Sequence, residues 1–234
     1  MDNPAVWREL LFIAGAYILG SLPLVYTLGR LKGVNLHTAG TGNVGGGNLW
    51  RTAGPLAGAV GGVGDIAKGV ITVASGVWLG FPPLVVGLGG LAVIAGQSWP
   101  IFLKFRGGRG NGTALGVALA WVPGELFIAI IPVLLATMHF GLTHLFNSAV
   151  PLRQRLKFMR NPSRSIPLGM FLTFALLPVL ALHSGEAPPV PQILVAMFCL
   201  MVLRRLTVGL GRLHWGWGMG RILLGRFFFD RGPR

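Results

Sequence analysis

The sequence predicts an all-α, polytopic membrane protein of about seven transmembrane helices, with its N-terminus outside and its C-terminus cytoplasmic. Three observations predict this. Of the 234 residues, 53% are hydrophobic and only 11% charged, whereas soluble domains carry about a quarter charged residues. The stretch from Gly69 to Leu103 contains no Asp, Glu, Lys or Arg, well beyond the roughly 20 residues that cross a bilayer once. The basic residues are also segregated between alternate loops. This composition excludes an ordinary soluble enzyme, a disordered chain and a secreted disulfide scaffold. Cys199, the one cysteine, cannot form an intramolecular bridge.

Apolar runs bounded by charge, Gly or Pro give the expected spans as 6–29, 54–80, 84–103, 112–122, 126–146, 166–183 and 192–203. The fourth and seventh are short and need flanking residues to complete a crossing. With the N-terminus outside, the inner loops 30–52, 104–109, 147–165 and 204–234 hold 3, 3, 5 and 7 Lys or Arg, which is 18 of the 20. The outer turns at 81–83, 123–125 and 184–191 hold none. Such a split follows the positive-inside rule. It also accounts for the formal net charge of +14, which in a soluble chain would point to nucleic acid. Anionic membrane lipid is the expected partner here, and nucleic acid is not. The first apolar run lacks a basic leading segment, so no cleaved signal peptide is expected. The whole chain reads as a single transmembrane domain, 1–234, with a basic cytoplasmic tail over about 204–234.

Two glycine-rich segments on the inner face carry the chemical signal. The first runs from Ala39 to Arg51 and contains Gly40, Thr41, Gly42, Asn43, three further glycines and Asn48. The second contains Lys104, Arg106, Gly107, Gly108, Arg109 and Gly110, and leads through Asn111 and Gly112 to Thr113 at the start of an apolar run. Successive backbone N–H groups without a Cβ in the way can converge on phosphate oxygens, and a helix N-terminus adds a favourable dipole. Arg can grip phosphate bidentately. A single loop of this kind would read sooner as a flexible basic segment that fixes topology. Two on one face favour a phosphate site.

Asp65 and Lys68 lie at i and i+3 within the second span, so they share a helix face. Ionisable groups in a membrane face the bundle interior or a polar cavity. Two readings stand: the pair orients its helix, or Lys68 adds charge to the phosphate site while Asp65 holds it. Ser21, between Gly20 and Pro23, sits where a kink could expose backbone groups. His37, His139, His144, His183 and His214 show no metal-ligand spacing, and Trp215 and Trp217 suit an interfacial belt. The basic loop 153–164 reads as a lipid-contacting surface. No phosphate-binding GKS/T loop, dinucleotide fingerprint or HEXXH motif occurs. No metal or cofactor is expected.

The motifs Gly20-Ser21-Leu22-Pro23, Gly40 to Asn48 with Arg51, Asp65-x-x-Lys68-Gly69, and Trp99-Pro100 through Gly110 occur in the order that marks the PlsY family. The chain resembles this family of bacterial acylphosphate:glycerol-3-phosphate acyltransferases, over roughly residues 10–122 by motif and beyond by hydropathy. The resemblance implies a seven-span inner-membrane enzyme with its site facing the cytoplasm. It implies transfer of a fatty acyl group from acyl phosphate to glycerol 3-phosphate, giving lysophosphatidate and phosphate. It further implies that Thr41, Arg51 and Arg109 take part in catalysis. Ser21, Gly40, Gly42, Asn43, Asn48, Asp65, Lys68, Gln97, Lys104, Arg106, Gly107, Gly108, Gly110 and Thr113 would contribute to substrate binding. Thr41 stands where most of the family has Ser, Arg109 where it has Lys, and Gln97 where it has His. The family's C-terminal His-Arg-x-Asn motif corresponds to Leu203-Arg204-Arg205-Leu206, without the His and Asn. A second expectation is therefore a weakened or inactive PlsY-like protein that binds phospholipid or phosphate. A third, a small transporter, lacks the support of a detectable inverted repeat.

Overall fold

The computed structural model describes residues 4–146, 165–208, 220 and 224–227. All regular structure among them is helical. The helices are α1 (Pro4–Ser21), α2 (Leu24–Leu31), α3 (Gly46–Ala53), α4 (Pro55–Trp78), α5 (Pro83–Ser98), α6 (Asn111–Trp121), α7 (Pro123–Ala129), α8 (Ile131–Leu145), α9 (Ser165–His183) and α10 (Val190–Thr207). The loop 153–164, His214, Trp215 and Trp217 lie outside the described residues.

Proline sets most of the boundaries. It lacks an N–H and disfavours the α conformation in the residue before it, so α1 stops at Ser21 and α2 restarts at Leu24 beyond Pro23. Pro55, Pro83 and Pro123 each stand at a helix start, where a missing N–H costs nothing. Among the described residues, six stretches are long and apolar enough to cross a membrane: Pro4–Leu31, Pro55–Trp78, Pro83–Leu103, Pro123–Thr143, Ile166–His183 and Val190–Thr207. The first unites α1 and α2 across their break. The fourth expected run differs from the rest. It forms α6, whose 11 residues rise only about 16 Å, against a hydrocarbon core of about 30 Å.

The α6 helix packs its backbone directly on α4. A Cβ at Gly69 would strike the carbonyl of Thr113, and one at Gly116 would strike the carbonyl of Ile66. Small residues at membrane helix crossings allow this approach. The same device joins α1 to α5, where Gly20 faces Val93 and Gly96 faces Tyr17. The main core gathers Val93, Ile94, Ala114, Ala118, Phe174, Leu177, Leu194 and Met197 from α5, α6, α9 and α10. A smaller cluster of Val25, Leu36, Val44 and Leu49 underlies the first glycine-rich segment. Large apolar side chains such as Leu56, Trp78 and Phe127 remain 79%, 85% and 70% exposed, an arrangement that suits lipid and not water.

Candidate active site

The first glycine-rich segment is organised by one side chain. Asn48, in the first turn of α3, is buried, and its amide nitrogen donates to the carbonyls of Ala39 and Asn43, each at 3.0 Å. Its Oδ1 accepts the backbone N–H of Thr41 at 3.0 Å. An amide offers two donors and one acceptor oxygen, and Asn48 uses all of these groups to shape the loop. Gly40 and Gly42 adopt left-handed backbones, with φ of 60° and 71°, which wind the loop tightly enough for Asn48 to bridge it. Then α3 lies flat on α4, with Gly46 against Gly62 and Trp50 against Gly58. This carries Arg51, in the last turn of α3, to a half-buried position. Its guanidinium folds back to within 3.9 Å of where a Cβ at Gly47 would stand. The Arg51 Nε and the Thr41 hydroxyl are buried and have no hydrogen-bond partner among the described residues.

The second segment leaves α5 at Ser98 and turns through Pro100. Tyr17 of α1 donates its hydroxyl to the Trp99 carbonyl at 2.7 Å, and the Phe105 N–H donates to the Pro100 carbonyl at 2.9 Å. Lys104 and Phe105 both take left-handed backbones, with φ of 52° and 62°, an uncommon conformation for residues with a side chain. The Gly108 N–H donates to the Gln97 carbonyl at 3.1 Å. From the far end of the chain, Arg204 donates its Nε to the Gly108 carbonyl and its Nη2 to the Gly107 carbonyl, both at 2.8 Å. Gly110 then caps α6, and the buried Asn111 Oδ1 and Thr113 Oγ1 at its start have no hydrogen-bond partner among the described residues.

The two segments interlock. The Val44 carbonyl stands against Gly108 so closely that a Cβ there would strike it. Burial, and then the nearby Arg109 guanidinium, pushes the Arg51 pKa below its ordinary value. Two cations 58 positions apart in sequence are thus held within electrostatic reach of one another. Lys104 and Arg106 lie exposed at the rim, where Arg106 acts on His37. A narrow cleft, partly open to solvent, brings together Ser21, Val44, Gln97, Gly107 and Gly108 beside the apolar Leu22, Leu24 and Leu103. Thr41, Arg51 and Arg109 do not line it.

Lys68 lies buried in the bundle interior at the α1–α2 break. Its ammonium donates to the carbonyls of Gly20 at 3.2 Å and Leu22 at 2.6 Å, and to Gln97 Oε1 at 2.7 Å, with Asp65 Oδ1 at 3.6 Å. Three donors meet three acceptors. In this arrangement Lys68 caps the carbonyls that the α1–α2 break leaves open, and no ammonium proton remains for a phosphate. Gln97, expected as a substrate contact, joins this buried node. Ser21 is fully buried beside it, its hydroxyl without a hydrogen-bond partner among the described residues.

Arg204 and Arg205 are buried residues that the candidate set omits. Arg205 reaches the carbonyls of Phe227 and Pro167, each at 3.2 Å, and Arg226 reaches back to the Leu206 carbonyl at 3.4 Å. The available signal was the pair of charges ending an apolar helix, which counting by loops assigned to topology alone.

A helical bundle with six membrane-length stretches among the described residues, bearing two interlocked glycine loops with an arginine of each in electrostatic reach of the other, defines an integral membrane protein with a cationic site. Residues 10–216 match the family model described as glycerol-3-phosphate acyltransferase. Glycerol-3-phosphate acyltransferase 4 of Dehalococcoides mccartyi strain CBDB1 is 32% identical over 96% of this chain and 90% of its own. Its counterpart from Geobacter metallireducens is 43% identical over 51% of this chain and 62% of its own. A crystal structure of PlsY, an integral membrane glycerol 3-phosphate acyltransferase, in its glycerol 3-phosphate form, is 25% identical. It superposes with a TM-score of 0.70 over 92% of this chain and 98% of that one. A second PlsY structure, in its lysophosphatidic acid form, gives 0.69 at 24% identity over 94% of this chain and 93% of its own. The chain belongs to the glycerol-3-phosphate acyltransferase family.

Proposed function

We propose that this chain transfers a fatty acyl group from acyl phosphate to the 1-hydroxyl of glycerol 3-phosphate, at the cytoplasmic rim of a bacterial inner membrane. The hydroxyl oxygen attacks the acyl carbonyl carbon, the bond from that carbon to the phosphate oxygen breaks, and inorganic phosphate leaves. The hydroxyl proton goes to a phosphate oxygen, so no protein nucleophile is required. An acyl phosphate is already activated, which leaves the protein to align the reactants and to stabilise concentrated negative charge. The observation that carries this reading is the interlock of the two glycine loops at Val44 and Gly108, which holds Arg51 and Arg109 within electrostatic reach of each other. Like charges repel, and an anion between them removes the repulsion. The Thr41 hydroxyl and the start of α6, with Asn111 and Thr113, supply neutral polar groups on the same two loops. Leu22, Leu24 and Leu103 stand beside Gly107 and Gly108 and give the site an apolar border for the acyl chain. The distribution of Lys and Arg supports an outer N-terminus and an inner site.

The test is an assay of the purified protein in lipid discs with acyl phosphate and glycerol 3-phosphate. Lysophosphatidate and phosphate should form one to one. Arg51→Ala and Arg109→Ala should each slow transfer by ~100-fold, as the loss of a charge-stabilising donor does. Phosphate release unchanged in both variants would remove them from the mechanism. A second reading, a protein that binds phosphate or phospholipid without turnover, is favoured by Leu203 and Leu206 standing where the family has His and Asn. Ligand binding with no product in the same assay would select it.

A further inference from the structure

We infer that Arg204 is a positioning residue of this site: it fixes the backbone of the second glycine loop so that Arg109 is presented to the phosphorylated substrate. The inference rests on the acyltransferase reading above. Gly107 and Gly108 have no side chains and the widest backbone freedom of any residues, so the course of the backbone just before Arg109 depends on contacts from outside the segment. Arg204 supplies the missing restraint. Its Nε and Nη2 lie on one edge of a rigid planar fork, and they reach two successive carbonyls at 2.8 Å each. The guanidinium carbon lies over the Trp99 ring, 5.2 Å from its centre, a cation–π contact that adds to the restraint.

The consequence follows from peptide geometry. In a trans peptide the carbonyl and the following N–H point in opposite directions. The Gly107 carbonyl faces Arg204, and on the opposite side the Gly108 N–H meets the Gln97 carbonyl at 3.1 Å. The loop is thus gripped from the end of α10 and the end of α5 together, while Val44 closes against the Gly108 α-carbon. The Gly108 carbonyl also faces Arg204, so the Arg109 N–H points away from it. Arg204 therefore sets the direction in which residue 109 leaves the loop. A charged donor on the two carbonyls further polarises the N–H groups of the same peptides. Lysine would hold the carbonyls from a single rotating point, without the fixed plane of the guanidinium fork.

The test uses the full chain in lipid discs, with Arg204→Lys as the main variant and Arg204→Gln as a second that removes the charge. Both are compared with wild type by hydrogen exchange over 104–110 and by acyl-transfer kinetics, alone and combined with Arg109→Ala. The Gly108 amide should exchange at least about tenfold faster in Arg204→Lys. Its kcat/KM should fall by ~10- to 100-fold, and adding Arg204→Lys to Arg109→Ala should slow transfer by less than about twofold more. A role in general stability alone would leave the two effects multiplicative. Unchanged exchange at 104–110, or multiplicative effects, overturns the inference. If wild type makes no product, the acyltransferase reading has failed, and the exchange measurement still decides whether Arg204 holds the loop.

Discussion

The carbonyl oxygen of Val44 rests against the α-carbon of Gly108, leaving no room for a side chain between the two glycine-rich loops. One loop connects α2 to α3 and the other connects α5 to α6, so this contact makes a single structure of segments that are far apart in sequence. Gly108→Ala should separate them. The misfit should cost about 1–3 kcal/mol, the usual effect of an added methyl in a packed site. Acyl transfer should fall much more than that loss explains, since both loops shift. Thermal unfolding and turnover of Gly108→Ala measure the two effects. Full activity in the variant would mean that the loops tolerate separation.

Arg51 and Arg109 oppose each other, so the site should be less stable than its surroundings require. Arg51→Gln should leave the thermal midpoint unchanged or raise it while transfer is largely lost, the trade expected where function needs a destabilising arrangement. Glycerol 3-phosphate should raise the midpoint of wild type and not that of the variant. Equal ligand-induced shifts in both proteins would place the anion elsewhere.

Lys68 neutralises Asp65 and caps the α1–α2 break at once. Lys68→Met should cost about 3–5 kcal/mol, the range seen when one partner of a buried ion pair is removed. Adding Asp65→Asn should recover part of it. Chemical or thermal unfolding of the single and double variants measures this. A double variant as unstable as the single one would show that the carbonyl contacts carry the whole effect.

Burial, with Arg106 adding to it, pushes the His37 imidazole below its ordinary value of 6.5. As pH falls past about 6.5, the unfolded chain takes up a proton that the folded chain still refuses, so stability declines on the acid side and is unaffected above it. Thermal midpoints between about pH 7.5 and about pH 5.5 should therefore fall more steeply in wild type than in His37→Gln. Identical slopes would show that His37 titrates normally.

The spans were legible because each is a long apolar run with proline or charge at its ends. The exception, 112–122, is apolar for the same reason as the others, since α6 is buried against α4, yet its length comes from Pro123 and not from the membrane. The glycine loops were legible as phosphate-binding patterns, but the duties of their residues were not. Asn48 resembles a ligand-binding amide until its partners are seen to be the carbonyls of Ala39 and Asn43. Lys68 resembles a phosphate-binding cation until it is found on the carbonyls of Gly20 and Leu22. Arg204 binds residues nearly a hundred positions earlier, a pairing that no local pattern encodes.

The most direct measurement is footprinting of arginines with phenylglyoxal, read residue by residue while glycerol 3-phosphate is titrated. Arg51 and Arg109 should become protected together, with the same half-saturating concentration, while Arg8, placed over Phe81 near the N-terminus, should not. Protection of only one of the two, or of each at a different concentration, would contradict a shared phosphate site.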